Sequence, residues 1–170
     1  MNISFSYNNA LTTEALTQYQ AAVKAAQNKL VQGTGLGNDF LGWLHLPTDI
    51  RSQLDDIQAC ANMLRSKCDI IVCIGIGGSY LGAKAVIEAL SSSFAWLEGN
   101  KPAIVYAGQN ISEDYLYELQ SLLRDKKFGI ISISKSGTTT EPALAFRLLK
   151  NKLEKQCGEA FAKECIICIT

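Results

Sequence analysis

Two short segments carry the residue types that could do chemistry. Residues 134–141 read Ser-Lys-Ser-Gly-Thr-Thr-Thr-Glu, with five hydroxyls, one ammonium and one glycine just ahead of a helical pattern. A phosphate monoester near neutral pH carries almost two negative charges and several strong acceptor oxygens. Hydroxyl donors, free backbone N–H groups and the positive end of a helix meet those needs without a metal. The bland alternative is a helix cap, since serines and threonines are common in turns. One capping residue is enough for a helix, so five hydroxyls exceed that need and favour an anion site. The second segment is Gly75-Ile76-Gly77-Gly78-Ser79. Glycines let a backbone come close to a ligand, and N–H groups at a helix start attract anions. Taken alone, this segment fits a tight strand-to-helix turn equally well. It is not a dinucleotide fingerprint, because the third glycine of G-x-G-x-x-G would fall on Tyr80 and no acidic residue closes the next strand. It also lacks the Lys and Ser/Thr that follow the glycines of a Walker A loop.

The elements around these segments alternate. Apolar runs at 69–76, 102–108 and 128–134, and a last one at 165–170, read as strands that are apolar throughout. Helical stretches separate them: one from Ser79 to about Leu90, one opened by the cap Ser112-Glu113-Asp114, one from Thr139 to Lys155 with Pro142 in its first turn, and a short piece at 159–164. Strands of this kind imply a parallel sheet covered on both faces, a doubly wound α/β fold. In the 2-1-3-4-5 strand order, ligands bind between the first and third strands, beyond their carboxyl ends. Both chemically loaded segments follow those two strands. Upstream, residues 12–32 form an amphipathic pattern through Leu16, Tyr19, Val23, Ala26 and Leu30. A second runs from 50 to 66 through Ile50, Leu54, Ile57, Ala61 and Leu64, after a Gly-rich connector at 33–39. The expected organisation is a helical lead-in over 1–67 and a sheet domain over 68–170. With no helix after the fourth strand, that domain reads as cut short.

Composition narrows the function classes. Lys plus Arg equals Asp plus Glu at 16 each, so no general field draws nucleic acid or an anionic membrane and any anion site is local. No signal peptide opens the chain, and no apolar run approaches the roughly 20 residues of a membrane span. A cytoplasmic location is expected. The six cysteines sit mostly among apolar neighbours and read as reduced, buried thiols. Cys165 and Cys168 have C-x-x-C spacing. A zinc site would want a second Cys or His pair, and the single histidine, His45, stands alone.

The strings IGIGGSYLGAKA (74–85) and SISKSGTTTEPALAFR (132–147) resemble the two phosphate-side segments of the glucose-6-phosphate isomerase family, in its shorter bacterial branch. GTGLGNDFLGWLHLP (33–47) is similar to that branch's lead-in, and the resemblance runs along the whole chain. His45 departs from it, since relatives commonly place an acid there, and it reads as a surface or interface residue. The resemblance implies a sugar-isomerase (SIS) fold and interconversion of glucose 6-phosphate and fructose 6-phosphate through a cis-enediol, with no cofactor. It implies that Gly77, Gly78 and Ser79 line the sugar side of the site, while Ser134, Lys135, Ser136, Thr138 and Thr139 hold the phosphate. Glu141 is expected to stabilise the helix start. The family's catalytic glutamate, histidine, lysine and Gly-Gly-Arg arginine match nothing here and are expected beyond Thr170, so residues 1–170 alone are expected to be inactive. A homodimer whose sites borrow a partner's histidine is also implied.

Two other classes compete. The same fold serves as a sugar-phosphate sensor in transcription regulators, but such a protein should carry a basic helix-turn-helix, and the N-terminal helices are near neutral. A synthase holding fructose 6-phosphate would need a glutaminase or nucleophile segment, and none is visible.

Overall fold

The computed structural model describes residues 4, 6, 10–94, 99 and 102–170. It divides into two compact units, Met1–Asp55 and Asp56–Thr170.

In the first unit, α1 (Thr13–Gln32) starts at Thr12, whose hydroxyl accepts the Ala15 N–H at 3.2 Å, and stops at Gly33 in a left-handed conformation. No residue of α1 is buried, so the expected stripe is present but uncovered: Tyr19 and Val23 are both more than half exposed. A short helix, α2 (Leu46–Asp49), and a 3-10 turn (Ile50–Gln53) follow, and the exposed His45 precedes them.

The helix expected over 50–66 thus begins as a 3-10 turn and becomes α-helical only in α3 (Leu54–Lys67). Of its anticipated stripe, Leu64 alone is buried. Beyond α3 the chain runs β1 (Ile70–Ile74), α4 (Gly78–Leu90), β2 (Ala103–Ala107), α5 (Glu113–Leu122), β3 (Phe128–Ile133), α6 (Thr140–Cys157), α7 (Glu159–Cys165) and β4 (Ile166–Ile169). The four strands pair in parallel in the order β2-β1-β3-β4. Beyond α3 the sequence-based boundaries agree within two residues, with Cys165 closing α7 instead of opening the strand.

Alternate residues of the strands feed two layers. Val72, Ile74, Ala107 and Ile130 pack with Leu116 and Leu119 of α5 and with Ala145, Leu149 and Leu153 of α6. Ile71, Cys73, Tyr106 and Ile131 turn to the opposite side, with Met63 and Leu64 of α3. All five residues of β1 are buried, as expected for a central strand of a sheet covered on both faces. Gly129 in β3 exists because a Cβ there would lie 3.0 Å from the Cys165 carbonyl oxygen and 3.2 Å from the Cys68 sulfur.

All six cysteines are free. Cys68, Cys73 and Cys165 are buried as expected, but Cys168 is exposed on β4 and Cys60 and Cys157 are partly exposed. The C-x-x-C pair is therefore split between a buried helix end and an open strand. Burial pushes the Cys68 thiol up to about 12, with Cys165 beside it adding to the shift.

Candidate functional site

The order β2-β1-β3-β4 places β1 and β3 side by side, so the segments that follow them leave the same end of the sheet. After Ile74, the Gly75 N–H still donates to Ala107 O at 3.1 Å, and the chain then turns into α4. A Cβ on Gly75 would sit 3.1 Å from Ser79 Cβ and 3.3 Å from the carbonyl oxygen of Ile133, the last residue of β3. The absence of a side chain at Gly75 is what lets the two segments approach. Gly77 has φ +56°, a conformation only glycine adopts readily, and there its carbonyl accepts the N–H groups of Tyr80 and Leu81. Ser79 N–H donates to Ile76 O at 3.2 Å, whereas the N–H of Gly78, at the first helical position, has no intrahelical acceptor. Gly77 and Gly78 are exposed and Ser79 is half-buried.

The second segment starts from Ser134, whose N–H extends the β3–β4 ladder by bonding Ile169 O at 3.0 Å. Its hydroxyl oxygen accepts the Gly137 N–H at 3.0 Å, closing a tight turn in which Gly137 has φ +68°. Ser136 Oγ accepts from both the Thr138 N–H (3.3 Å) and the Thr138 hydroxyl (3.0 Å). A hydroxyl that accepts keeps its own hydrogen free to donate. Ser134 and Ser136 are thus held in place with a donor to spare, while the Thr138 hydroxyl donates within the loop. Thr139 caps α6 through its carbonyl, which accepts the Ala143 N–H at 3.2 Å, and its hydroxyl makes no capping bond. Pro142 has no N–H, so Thr140 and Glu141 supply the unpaired donors of the first turn. Lys135 is exposed and has no ion-pair partner among the described residues.

The structure therefore brings together, at one end of β1 and β3, all eight residues singled out from the sequence. The nearby Glu141 lies in the first turn of α6. Tyr80 in the first turn of α4 meets Tyr106 of β2 with ring centroids 5.6 Å apart and planes tilted by 50°, and Lys84, ion-paired with Glu88, lies 5.8 Å from the Tyr106 ring. The hydrogen bond that Lys84 donates to Glu88 raises the Lys84 pKa. Sequence reading gave no role to Gln109, just past β2, whose buried Oε1 has no hydrogen-bond partner among the described residues; nothing in its local pattern marked it. A cleft of about 1030 Å³ opens at the opposite end of the sheet, bordered by Asp69, Glu88, Ser91, Ala103 and Lys126. It lies at the amino ends of the strands, whereas parallel sheets bind their ligands beyond the carboxyl ends.

Similarity to known proteins follows the same segments. The chain is 56% identical over 175 residues to glucose-6-phosphate isomerase of Parabacteroides distasonis. It is 45% identical over 176 residues to the enzyme of that name from Exiguobacterium sibiricum. These alignments take in 99% of the chain. The chain is homologous to glucose-6-phosphate isomerases. It spans 39% of the length of those two relatives, and 35% of the glucose-6-phosphate isomerase of Lactobacillus gasseri, to which it is 48% identical over 157 residues. No protein-family profile matches. A hypothetical protein from Thermus thermophilus, solved by crystallography, shares the fold with a TM-score of 0.72 at 24% identity, over 91% of this chain and 35% of that one. No helix among the described residues is long and apolar enough to cross a membrane.

Proposed function

We propose that this chain is the phosphate-binding part of a cytoplasmic, dimeric glucose-6-phosphate isomerase, with residues 1–67 as a helical lead-in and 68–170 as the first sugar-isomerase domain. The observation that carries the reading is the meeting of two donor-rich loops at the switch point between β1 and β3. The names of the relatives support it, and they give the sensor and synthase readings no support. Ser134 and Ser136 donate to phosphate oxygens through their free hydroxyl hydrogens, and Thr139 through an uncommitted hydroxyl. The N–H groups of Thr140 and Glu141 add the positive end of α6. Lys135 neutralises part of the dianion, and Thr138 joins once its hydroxyl rotates away from Ser136. Gly77, Gly78 and Ser79 take the sugar side, where bare backbone permits close approach.

The reaction moves a proton between C2 and C1 of the open-chain sugar through a cis-enediol. It is redox-neutral within the substrate, so no external oxidant or reductant enters. Holding the phosphate, several bonds away from those carbons, fixes the substrate without taking part in proton transfer. The proton carrier must lie within hydrogen-bond reach of C1 and C2. Glu141 sits at the phosphate end, where a second negative charge beside the dianion is unfavourable. The base is therefore assigned to the part of the enzyme outside residues 1–170, and these residues alone do not turn over substrate.

Ser134→Ala and Thr139→Ala in the complete enzyme test the reading. Each removes a charge-assisted hydrogen bond, typically about 1.5–3 kcal/mol, and KM for fructose 6-phosphate should rise accordingly, by roughly ten- to a hundredfold. Wild-type KM and kcat in both variants would refute the phosphate assignment.

A further inference from the structure

We propose that Gly108 is a positioning residue for the phosphate site, one that sets where the first turn of α6 sits relative to β1 and β2. The proposal rests on the functional reading above. Gly108 directly follows β2 and has φ +80°. A Cβ there would lie 2.9 Å from Pro142 Cα, 3.1 Å from Ile74 Cγ2 and 3.4 Å from Pro142 Cβ. Neither neighbour can swing aside. Pro142 is a buried ring fused to the helix backbone, and Ile74 is fully packed in the core. Pro142 is the third residue of α6, so pushing it outward carries Thr139, Thr140 and Glu141 with it. Those residues supply the hydroxyl and backbone donors assigned to the phosphate.

Gly75 plays the matching part on the other loop, where its bare backbone lies against Ser79 and Ile133. One glycine lets the α4 loop close on β3, and the other lets α6 close on β2 and β1. The remaining glycines of the site differ in kind. Gly77 and Gly137 have positive φ, but open space surrounds the position of an added Cβ. Backbone conformation alone calls for glycine there, whereas at Gly108 a positive φ and a close approach both do.

Substituting Gly108 with alanine imposes both backbone strain and the clash with Pro142. Gly158, at the far end of α6, has φ +89° and nothing within 4 Å of an added Cβ, so Gly158→Ala imposes strain alone. In the complete enzyme, Gly108→Ala should raise KM for fructose 6-phosphate by about tenfold or more, because misplacement by a fraction of an ångström to an ångström is expensive for binding geometry. Competitive inhibition by inorganic phosphate should weaken in parallel while kcat holds, the signature of lost uniform binding. Gly158→Ala should lower the melting temperature and leave KM and phosphate inhibition unchanged. Should Gly108→Ala fail to fold, Pro142→Val adds branched bulk on the helix side without positive φ, and Pro142→Ala, which restores the same backbone N–H without that bulk, is its control. A folded Gly108→Ala enzyme with wild-type KM and phosphate inhibition, or a Pro142→Val enzyme matching Pro142→Ala in both, overturns the proposal. If Ser134→Ala and Thr139→Ala raise KM in that case, only the positioning role falls; if they do not, the phosphate-site reading falls with it.

Discussion

The two helices that carry the site loops are seated very differently. α6 buries Pro142, Ala145, Leu149 and Leu153 against the sheet. α4 buries no residue at all, and Leu81, Val86 and Leu90 are each at least half exposed. Yet α4 is the more apolar of the two and would ordinarily turn such residues inward. The donors of the Ser134–Thr140 loop therefore sit on a helix fixed by the core. Around the Gly75–Ser79 loop the contacts are local: the close approach at Gly75 and, at the start of α4, the tilted Tyr80–Tyr106 ring pair.

The sharpest way to break this comparison is to remove core contacts under each helix. Leu149→Ala deletes a fully buried side chain and should destabilise the fold by about 2–5 kcal/mol. In the 170-residue chain on its own, Val86→Ala removes methyls that face solvent and should stay within about 0.5 kcal/mol. Urea unfolding midpoints give both values. Equal losses would mean that α4 is seated as firmly as α6 and that the contrast is wrong.

A smaller effect sharpens the same contrast through pH. The Cys68 thiol, behind β3 on the α3 side of the sheet, is pushed up to about 12 mainly by burial, and burial raises Cys73, Cys157 and Cys165 as well. A folded pKa above the unfolded thiol value of about 8.5 contributes stability that is complete below that pH and lost as pH climbs toward 12. Unfolding midpoints should thus fall steadily above about pH 9, and Cys68→Ala should flatten that fall. An unchanged slope in the variant would remove Cys68 from the account.

Much of this was legible beforehand, for identifiable reasons. Uninterrupted apolar runs gave the parallel strands, and Ser112 and Thr139 marked helix starts that the structure keeps to within one residue. The hydroxyl density of 134–140 pointed to the loop without help from packing. Periodicity could not say whether a stripe finds a partner. Leu16, Tyr19, Val23 and Leu30 recur at helical spacing and still remain uncovered, as do Leu54 and Ile57. The β-rich composition of 165–170 hid the turn of helix that ends at Cys165. Gly108 escaped notice because a glycine after a strand looks like ordinary turn chemistry. The close approach of Pro142, 34 residues later in the chain, adds a constraint that no local pattern shows.

The central claim is that the phosphate lies where the loops after β1 and β3 meet. A crystal structure of the complete enzyme with fructose 6-phosphate bound tests it most directly. The account predicts phosphate oxygens about 2.7–3.2 Å from the Ser134 and Ser136 hydroxyls and the Thr140 N–H, with the sugar passing Gly77 and Gly78. A phosphate bound instead in the cleft between Glu88 and Lys126, at the other end of the sheet, would contradict it.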